Sequence, residues 1–385
     1  MLWQDVAQRT LAWALELQTI PGPTFDEARR AAWLAARWRE MGLEPTRDEV
    51  GNVYARLPGT GAARPVVVSA HLDTVFPVGT RLTPRQAEGR VYGPGIGDNT
   101  IGVAGLLGLA WALQRSGPRP LPGDVYLVGN VGEEGLGNLR GMHAVVARFA
   151  AQPIAYIVLE GLALERIYHR GLWIRRYRVT VRTRGGHSWA DYGAPSAVHE
   201  LAAIVAEAAR WRLPRRPRTT FNVGVLHGGT SVNTIAAEAS AEVDWRSEAR
   251  AALERWSQRF VALARSRARP GVEIAVEEIG FRPGGSIPAE HPLVQRALAA
   301  YQAHGVEPHL GIGSTDANVP LSRGYPAVVV GLTRGGGAHT LEEFIETAPL
   351  PRGLAALTTL VQQTLAAGSR KQVGATRRSP EGERE

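Results

Sequence analysis

The sequence predicts an α/β fold in which a mostly parallel sheet is flanked by helices and interrupted by an inserted ferredoxin-like α+β domain. Two observations predict the parallel sheet: nearly unbroken apolar runs, typical of strands buried on both faces, and helical stretches between them. A third observation is a middle segment in which apolar and polar residues alternate strictly, as in half-exposed antiparallel strands. The chain is therefore expected to contain two kinds of sheet in two domains.

The predicted buried strands are rich in Val, Ile, Leu and Ala and are bounded by turn residues. They cover residues 65–70, 125–131, 155–159 and 327–331. Two helices open the chain, and an apolar helix is predicted over 101–114. Thr24, with Glu27 three residues later, is expected to cap the second of the opening helices.

The alternating segments cover residues 177–182 and 237–246, and helices are predicted over 195–211 and 248–268. The resulting order of strand, helix, strand, strand, helix, strand is the ferredoxin-like arrangement. We therefore predict four segments along the chain. They are the first part of a catalytic domain over 1–170, the insertion over 171–280, the second part of the catalytic domain over 281–367, and a disordered tail over 368–385.

Composition excludes several kinds of chemistry. The 385 residues contain no Cys, which excludes disulfides, thiolate metal sites and cysteine nucleophiles. Lys371 is the single lysine among 44 basic residues, and it lies in the polar tail. A lysine Schiff base or a phosphate-binding lysine is therefore not expected.

The net charge of +8 raises the question of nucleic-acid binding. The dense basic run at 215–218 has no interleaved aromatic residues and is explained by a solvated loop. The N-terminus lacks the apolar core of a signal peptide, and the longest apolar run, 101–113, is too short to span a bilayer. We expect a cytoplasmic protein with neither nucleic-acid nor membrane partners.

Acidic and imidazole side chains follow the predicted parallel strands, at the edge where such sheets bind ligands. These residues are His71, Asp73, Asp98, Glu133, Glu134, Glu160 and His339. Any one of them alone is more commonly a hydrogen-bonded or solvated side chain. Together they would repel one another unless cations lay among them. Two divalent metal ions, zinc first with cobalt or manganese as alternatives, suit these nitrogen and oxygen ligands.

The same residues resemble the motifs of a two-metal peptidase family. Its members include aminoacylase, peptidase T, acetylornithine deacetylase, succinyl-diaminopimelate desuccinylase and the bacterial glutamate carboxypeptidases. Five motifs occur in the family's order, and segments 185–188, 228–233 and 313–318 also look like family sequence, closest to the tripeptidase-like members. The resemblance covers the chain except its tail and includes the insertion, which in this family is a lid and dimerisation domain.

The resemblance implies a metal site shared between two ions. Asp98 would bridge the ions, with His71 and Glu160 completing one site and Glu134 and His339 completing the other. The implied activity is hydrolysis of an amide bond in a short peptide or an N-acyl amino acid, through a water that bridges the metals.

The resemblance also implies roles beyond the metal ligands. Asp73 would hydrogen-bond His71 and fix its tautomer, and Glu133 would be the general base. His187 would stabilise the oxyanion, Asn233 would contact substrate, and Arg246 would bind a substrate carboxylate. A homodimer through the lid is expected.

Two other motifs in the sequence depart from the functional patterns that they resemble. Ser188 lies in a partial G-x-S-x-G motif that lacks its second glycine and is not followed directly by a helix. The glycines of 93–97 do not have dinucleotide-binding spacing. An N-acyl amino-acid deacylase remains the alternative to a peptidase, and a non-catalytic binding protein on the same fold is the alternative of another class.

Overall fold

The computed structural model describes residues 3–116 and 120–376. Its contacts divide the chain into two compact units, one formed by Met1–Arg170 with Gly285–Glu385 and the other by Gly171–Gly284. The second unit ends at Gly284 rather than at residue 280, because its last strand continues to Arg282, opposite Ile174.

Within the described residues the helices are α1 (Trp3–Gln18), α2 (Ala28–Glu40), α3 (Ile101–Ser116), α4 (Arg140–Phe149), α5 (Ala197–Ala209), α6 (Arg250–Ser266), α7 (Pro292–Gln302), α8 (Asn318–Ser322) and α9 (Leu350–Thr376). The strands are β1 (Thr46–Arg47), β2 (Val53–Leu57), β3 (Val66–His71), β4 (Arg85–Ala87), β5 (Arg90–Tyr92), β6 (Val125–Asn130), β7 (Ala155–Leu159), β8 (Arg166–Gly171), β9 (Trp173–Arg182), β10 (Gly186–His187), β11 (Thr219–Gly228), β12 (Thr234–Ile235), β13 (Glu238–Ser247), β14 (Glu273–Arg282), β15 (Gly285–Ser286), β16 (His309–Gly313), β17 (Ala327–Val330), β18 (Gly335–Gly336) and β19 (Phe344–Glu346).

A nine-stranded sheet crosses the first unit in the order β1-β2-β6-β3-β7-β17-β8-β15, with β16 paired to β8. Its four central strands, from β6 to β17, are parallel. Every residue of β3, β7 and β17 is buried, which explains their unbroken apolar sequences. The register sets His71 beside Asn130 and Leu159 beside Val330, so these strands end at one common edge. The predicted fold class is confirmed.

Helix α3 is the central helix of the first unit. The stretch Ile96–Arg115 is long and apolar enough to cross a membrane, but 89% of it is buried inside the structure, as in a core helix. Helices α1 and α9 pack against it. Each fully buried Leu or Ile in such a helix contributes about 1.5–3 kcal/mol to stability.

The second unit has an antiparallel sheet in the order β11-β13-β9-β14, and its two helices, α5 and α6, pack against that sheet. The strict alternation is explained by its two faces. Trp245 and Phe260 lie in the buried core, with ring centroids 6.0 Å apart. The opposite face carries cross-strand ion pairs, such as Arg178 with Glu242 at 2.8 Å.

The predicted side-chain cap of the second helix is wrong. Helix α2 begins at Ala28 without a side-chain cap, because Glu27 accepts hydrogen bonds from Phe25 N and Gly132 N, each at 3.0 Å. Thr24 Oγ1 instead donates to Asp73 Oδ2 at 2.9 Å.

The predicted disordered tail begins too early. Helix α9 continues from Leu350 to Thr376, through the first part of the predicted tail. At Gly368 the helix still packs on the unit, because a Cβ there would meet Ile154 Cδ1 at 2.3 Å. The rest of the predicted tail, 377–385, lies outside the described residues.

Candidate metal centre

Five separate elements deliver the predicted metal ligands to one edge of the sheet. His71 is the last residue of β3, and Glu160 directly follows β7. Glu134 lies in the loop after β6, and Asp98 lies, with a non-helical backbone, in the turn before α3. His339 lies between β18 and β19, with a left-handed backbone at φ 66°.

The two carboxylate oxygens of Asp98 face two different histidines. Oδ1 is 3.1 Å from His71 Nε2, and Oδ2 is 3.2 Å from His339 Nε2. His71 Nε2 is also 3.6 Å from Glu160 Oε2, and His339 Nε2 is 3.3 Å from Glu134 Oε1. The structure therefore brings together all five predicted ligands, in two groups that share Asp98. In each group the potential ligand atoms lie within 4.8 Å of one another.

The donor atoms of this cluster fit divalent metal ions. His71 is 1% exposed, and its Nε2 has no hydrogen-bond partner among the described residues. Glu134 Oε1 is likewise buried without a hydrogen bond to the described part of the chain. Buried polar atoms normally have partners. Two nitrogen and several oxygen donors that face one another in this way suit a pair of cations such as zinc, cobalt or manganese.

The electrostatics of the cluster point the same way. Burial raises the pKa of Glu134 to about 7 and the pKa of Glu160 to about 8. Burial alone would also raise the pKa of Asp98, but the adjacent His339 and His71 hold that pKa well below its usual range. The contact with Asp98 and the adjacent carboxylate of Glu134 raise the pKa of His339 to about 10. Bound protons thus reduce the repulsion between the clustered carboxylates, and metal ions can replace those protons.

Asp73 supports two neighbouring parts of the site. Its carbonyl oxygen is 3.0 Å from His71 Nδ1, whereas its Oδ1 is 3.5 Å away, so the closer contact is made by the backbone rather than by the predicted carboxylate. The carboxylate accepts the N–H groups of Glu133 at 3.0 Å and Glu134 at 2.9 Å. These two hydrogen bonds draw the carboxylate towards the 133–134 backbone and fix the turn that presents both glutamates.

Glu343 is a buried supporting residue that the sequence did not indicate. Its carboxylate accepts the N–H groups of Gly95 at 2.9 Å, Gly97 at 2.7 Å and Asp98 at 2.8 Å. Burial raises its pKa to about 7. Its position four residues after His339 was the available signal, because the loop that carries His339 also anchors the loop that carries Asp98.

Asn99 joins the Asp98 turn to the strand end that carries Glu160. Its Nδ2 donates to Leu159 O at 2.7 Å, and its Oδ1 accepts Gly161 N at 3.0 Å. A Cβ on Gly102 would lie 1.9 Å from Asn99 Oδ1, so a glycine is required one helical turn later.

Asp316 is a second acidic residue that sequence reasoning did not select, although its segment resembled the family. It is fully buried, and its Oδ2 accepts Asn130 Nδ2 at 2.6 Å. Burial, with nearby Glu133 adding to it, raises the pKa of Asp316 to about 7.

The three predicted substrate residues lie in the second unit. His187 Nδ1 accepts Trp189 N at 3.2 Å, which leaves the proton of a neutral imidazole on Nε2. His187 pairs with Thr234, the residue after Asn233, so the first two predicted contacts are neighbours. Arg246 is exposed on β13, and its Nε donates to Asp244 Oδ1 at 2.6 Å.

The sequence profile described as peptidase family M20/M25/M40 matches residues 67–363. The chain belongs to this family. Succinyl-diaminopimelate desuccinylase of Delftia acidovorans is 27% identical over 372 residues, which cover 89% of this chain and 94% of that protein. Members of the family share metal-dependent amide hydrolysis, so the M20 chain is a metal-dependent hydrolase.

Solved structures show the same fold as the M20 chain. Aminopeptidase PepT of Bacillus cereus is 22% identical with a TM-score of 0.74, over 94% of this chain and 99% of that one. A tripeptidase of Staphylococcus aureus is 20% identical with a TM-score of 0.77, over the same shares of the two chains. A dinuclear metal-binding peptidase of Bacillus subtilis is 16% identical with a TM-score of 0.67, over 94% of this chain and 99% of that chain.

Proposed function

We propose that the M20 chain hydrolyses an amide bond in a short peptide or an N-acyl amino acid, with Glu133 as the general base. His71, Asp98, Glu134, Glu160 and His339 would hold two divalent ions, zinc first with cobalt or manganese as alternatives. When bound, such ions supply Lewis acidity and lower the pKa of water to roughly 7.

The observation that carries the proposal is the position of Glu133 beside one ligand of each metal group, with which it also forms a third potential ligand set. Its ligand atom lies within 4.8 Å of those of His71 and Glu134. It is 5% exposed, and its backbone is fixed by Asp73. A buried carboxylate next to the ligands is suited to take a proton from water and deliver it to the leaving amine.

The remaining roles belong to the second unit. The tautomer of His187 makes Nε2–H a donor for the oxyanion that develops on the scissile carbonyl. Asn233, adjacent to the strand paired with His187, is suited to contact the same substrate. Arg246 would bind a substrate carboxylate if Asp244 released its guanidinium.

Metal removal tests the reaction. The protein should lose hydrolysis of di- and tripeptides or N-acyl amino acids after dialysis against a chelator, and regain it with zinc, cobalt or manganese. Elemental analysis should then find two ions per chain. Full activity in metal-free protein would contradict the proposal. Binding of two ions per chain without hydrolysis of any amide would favour the non-catalytic alternative.

A matched pair of variants tests the base. Glu133→Gln should keep both ions but lose at least about 100-fold in kcat, because general base catalysis typically supplies 10²–10⁴-fold. Glu44→Gln, an exposed glutamate of the same unit, is the control. Loss of metal in Glu133→Gln would identify Glu133 as a ligand instead.

Substrate preference separates the two enzymatic alternatives. A peptidase should prefer di- and tripeptides with a free amine, and a deacylase should prefer N-acyl amino acids. Ser188→Ala should leave turnover largely intact, since the nucleophile is water. The predicted homodimer through the inserted unit and the predicted cytoplasmic location stay predictions, the first testable by measuring mass in solution.

A further inference from the structure

A cleft of about 540 Å³ in the first unit lies next to the metal-ligand loops. Three chain segments line it, and each leads into or out of a metal-ligand motif. They are Thr80 to Arg85, which follow the His71 motif, residues 92–94, which precede Asp98, and residues 341–342, which follow His339. This position makes the cleft a neighbour of the ligands Asp98 and His339 within one unit.

The cleft is positively charged. Arg81 and Arg85 line it, and both are exposed. Neither guanidinium forms an ion pair with any carboxylate that the structure describes, whereas many exposed arginines of this chain do. Glu342 is the one acidic residue in the lining. Two cationic side chains against one anionic side chain favour an anionic ligand.

The walls of the cleft are held in place by a cation–π contact and by hydrogen bonds. The Arg85 guanidinium lies 4.1 Å from the ring centroid of Tyr92, which is its register partner on β5. This stacking leaves the planar N–H edge of the guanidinium available to a carboxylate. Pro94 O accepts Gln18 Nε2 at 2.9 Å, and Gly93 N donates to Glu343 O at 2.9 Å.

The same framework carries Asp98. Glu343 follows the lining residue Glu342 and accepts the N–H of Asp98 at 2.8 Å. The lining of the cleft is therefore connected directly to the Asp98 turn, as positioning of a substrate requires.

We propose that this cleft binds a carboxylate of the substrate through Arg81 and Arg85, with Tyr92 and Leu341 in contact with the adjoining carbon chain. The inference rests on the proposed function, because the substrate must extend from the cleft to the metal ligands. The carboxylate can belong to the acyl side of the scissile amide or to the leaving amino acid.

Two pairs of substrates test the assignment and distinguish these sources. One pair is N-succinyl-leucinamide and N-succinamoyl-leucinamide, which differ in an acyl-side charge. The other is N-acetyl-leucine and N-acetyl-leucinamide, which differ in a charge on the leaving side. The double variant Arg81→Gln/Arg85→Gln is compared with the wild type and with Arg39→Gln, an exposed arginine at the end of α2.

The double variant should raise KM by about 10- to 100-fold for the charged member of one pair, the expected loss of charge-assisted hydrogen bonds. KM for the neutral member and all values for Arg39→Gln should stay unchanged. The affected pair identifies the source of the carboxylate. Equal effects on charged and neutral members, or unchanged KM for all four amides, would overturn the inference.

Binding of glutarate separates this inference from the proposed function. If metal-loaded wild type hydrolyses none of the four amides and no di- or tripeptide, the proposed function fails. Calorimetric titration with glutarate decides the cleft in that case, and also where only peptides are hydrolysed. Binding at least about 10-fold weaker in the double variant than in wild type and Arg39→Gln would support the cleft. Equal binding in the three proteins would overturn it.

Discussion

The carboxylate of Glu343 accepts the backbone N–H of Asp98 at 2.8 Å, although the two residues are 245 positions apart. The loop that carries His339, a proposed ligand of one metal group, thus also positions the aspartate that both groups share. Three N–H donors on one carboxylate leave Glu343 no freedom to rotate away.

Glu343→Gln should weaken metal binding by about 10- to 100-fold, as is typical when a partner of a metal ligand is lost. The amide NH₂ cannot accept the N–H groups that the carboxylate oxygens accept. Chelator competition measures the affinity, and Glu342→Gln, the exposed neighbour, should bind metal as the wild type does. Unchanged metal affinity in Glu343→Gln would show that the Asp98 turn keeps its conformation without the hydrogen bonds from Glu343.

Asp73→Asn should lower kcat by at least about 10-fold, because loss of a residue that hydrogen-bonds metal ligands typically costs about 10- to 100-fold in activity. One of the two N–H groups of Glu133 and Glu134 would face an NH₂ group instead of an oxygen. Thr24→Val removes one hydroxyl donor to the same carboxylate and should have a smaller effect on kcat. A larger loss of kcat in Thr24→Val than in Asp73→Asn would show that the contact of Asp73 with Thr24 matters more than its hydrogen bonds to the 133–134 backbone.

Gly102→Ala should displace Asn99 and weaken metal binding, since the new methyl group would lie 1.9 Å from Asn99 Oδ1. Gly105→Ala on the same helix is the matched control, because it meets Leu332 Cδ1 at 2.2 Å, away from the ligands. Overpacking of this kind costs about 1–3 kcal/mol in either variant. The midpoint temperature of thermal unfolding should fall in both variants, whereas metal affinity should fall in Gly102→Ala alone. A loss of metal affinity in both variants would show that the effect of Gly102→Ala does not act through Asn99.

Metal affinity should increase with pH. Burial raises the pKa of Glu160 to about 8 and that of Glu134 to about 7, so at lower pH these carboxyls carry protons that a metal must displace. The gain per pH unit should be largest below about pH 7, where both carboxyls hold protons, and smaller above about pH 8. It should continue to about pH 10, because His339 must also lose its proton when a metal binds. Calorimetry in buffers of different ionisation enthalpy counts these protons, and Glu160→Gln should release fewer. Affinity that is independent of pH would contradict the raised pKa values.

The sequence allowed prediction of those parts of the site that depend on strand ends. His71 and Glu160 complete or follow buried apolar runs, and the parallel register of β3 and β7 necessarily brings such ends together. The fold class was predictable for the same reason, because unbroken and alternating apolar patterns belong to different sheets.

The supporting contacts could not be predicted in this way. Glu343 and Asn99 bind backbone groups, and backbone groups carry no residue-specific signal in a sequence. Thr24 shows the converse failure. Its spacing to Glu27 matches a local capping pattern. In the structure, however, Thr24 hydrogen-bonds Asp73 and Glu27 hydrogen-bonds Gly132, so neither side chain caps the helix.

Strand β17 pairs with β7 on one side and β8 on the other, and the second unit lies between β8 and β17 in the chain. During synthesis the central sheet therefore stays incomplete until residues 327–330 leave the ribosome. His339 is synthesised last of the five proposed ligands, after Asp98 and Glu160. The proposed two-ion centre therefore cannot be complete before residue 339 has been synthesised.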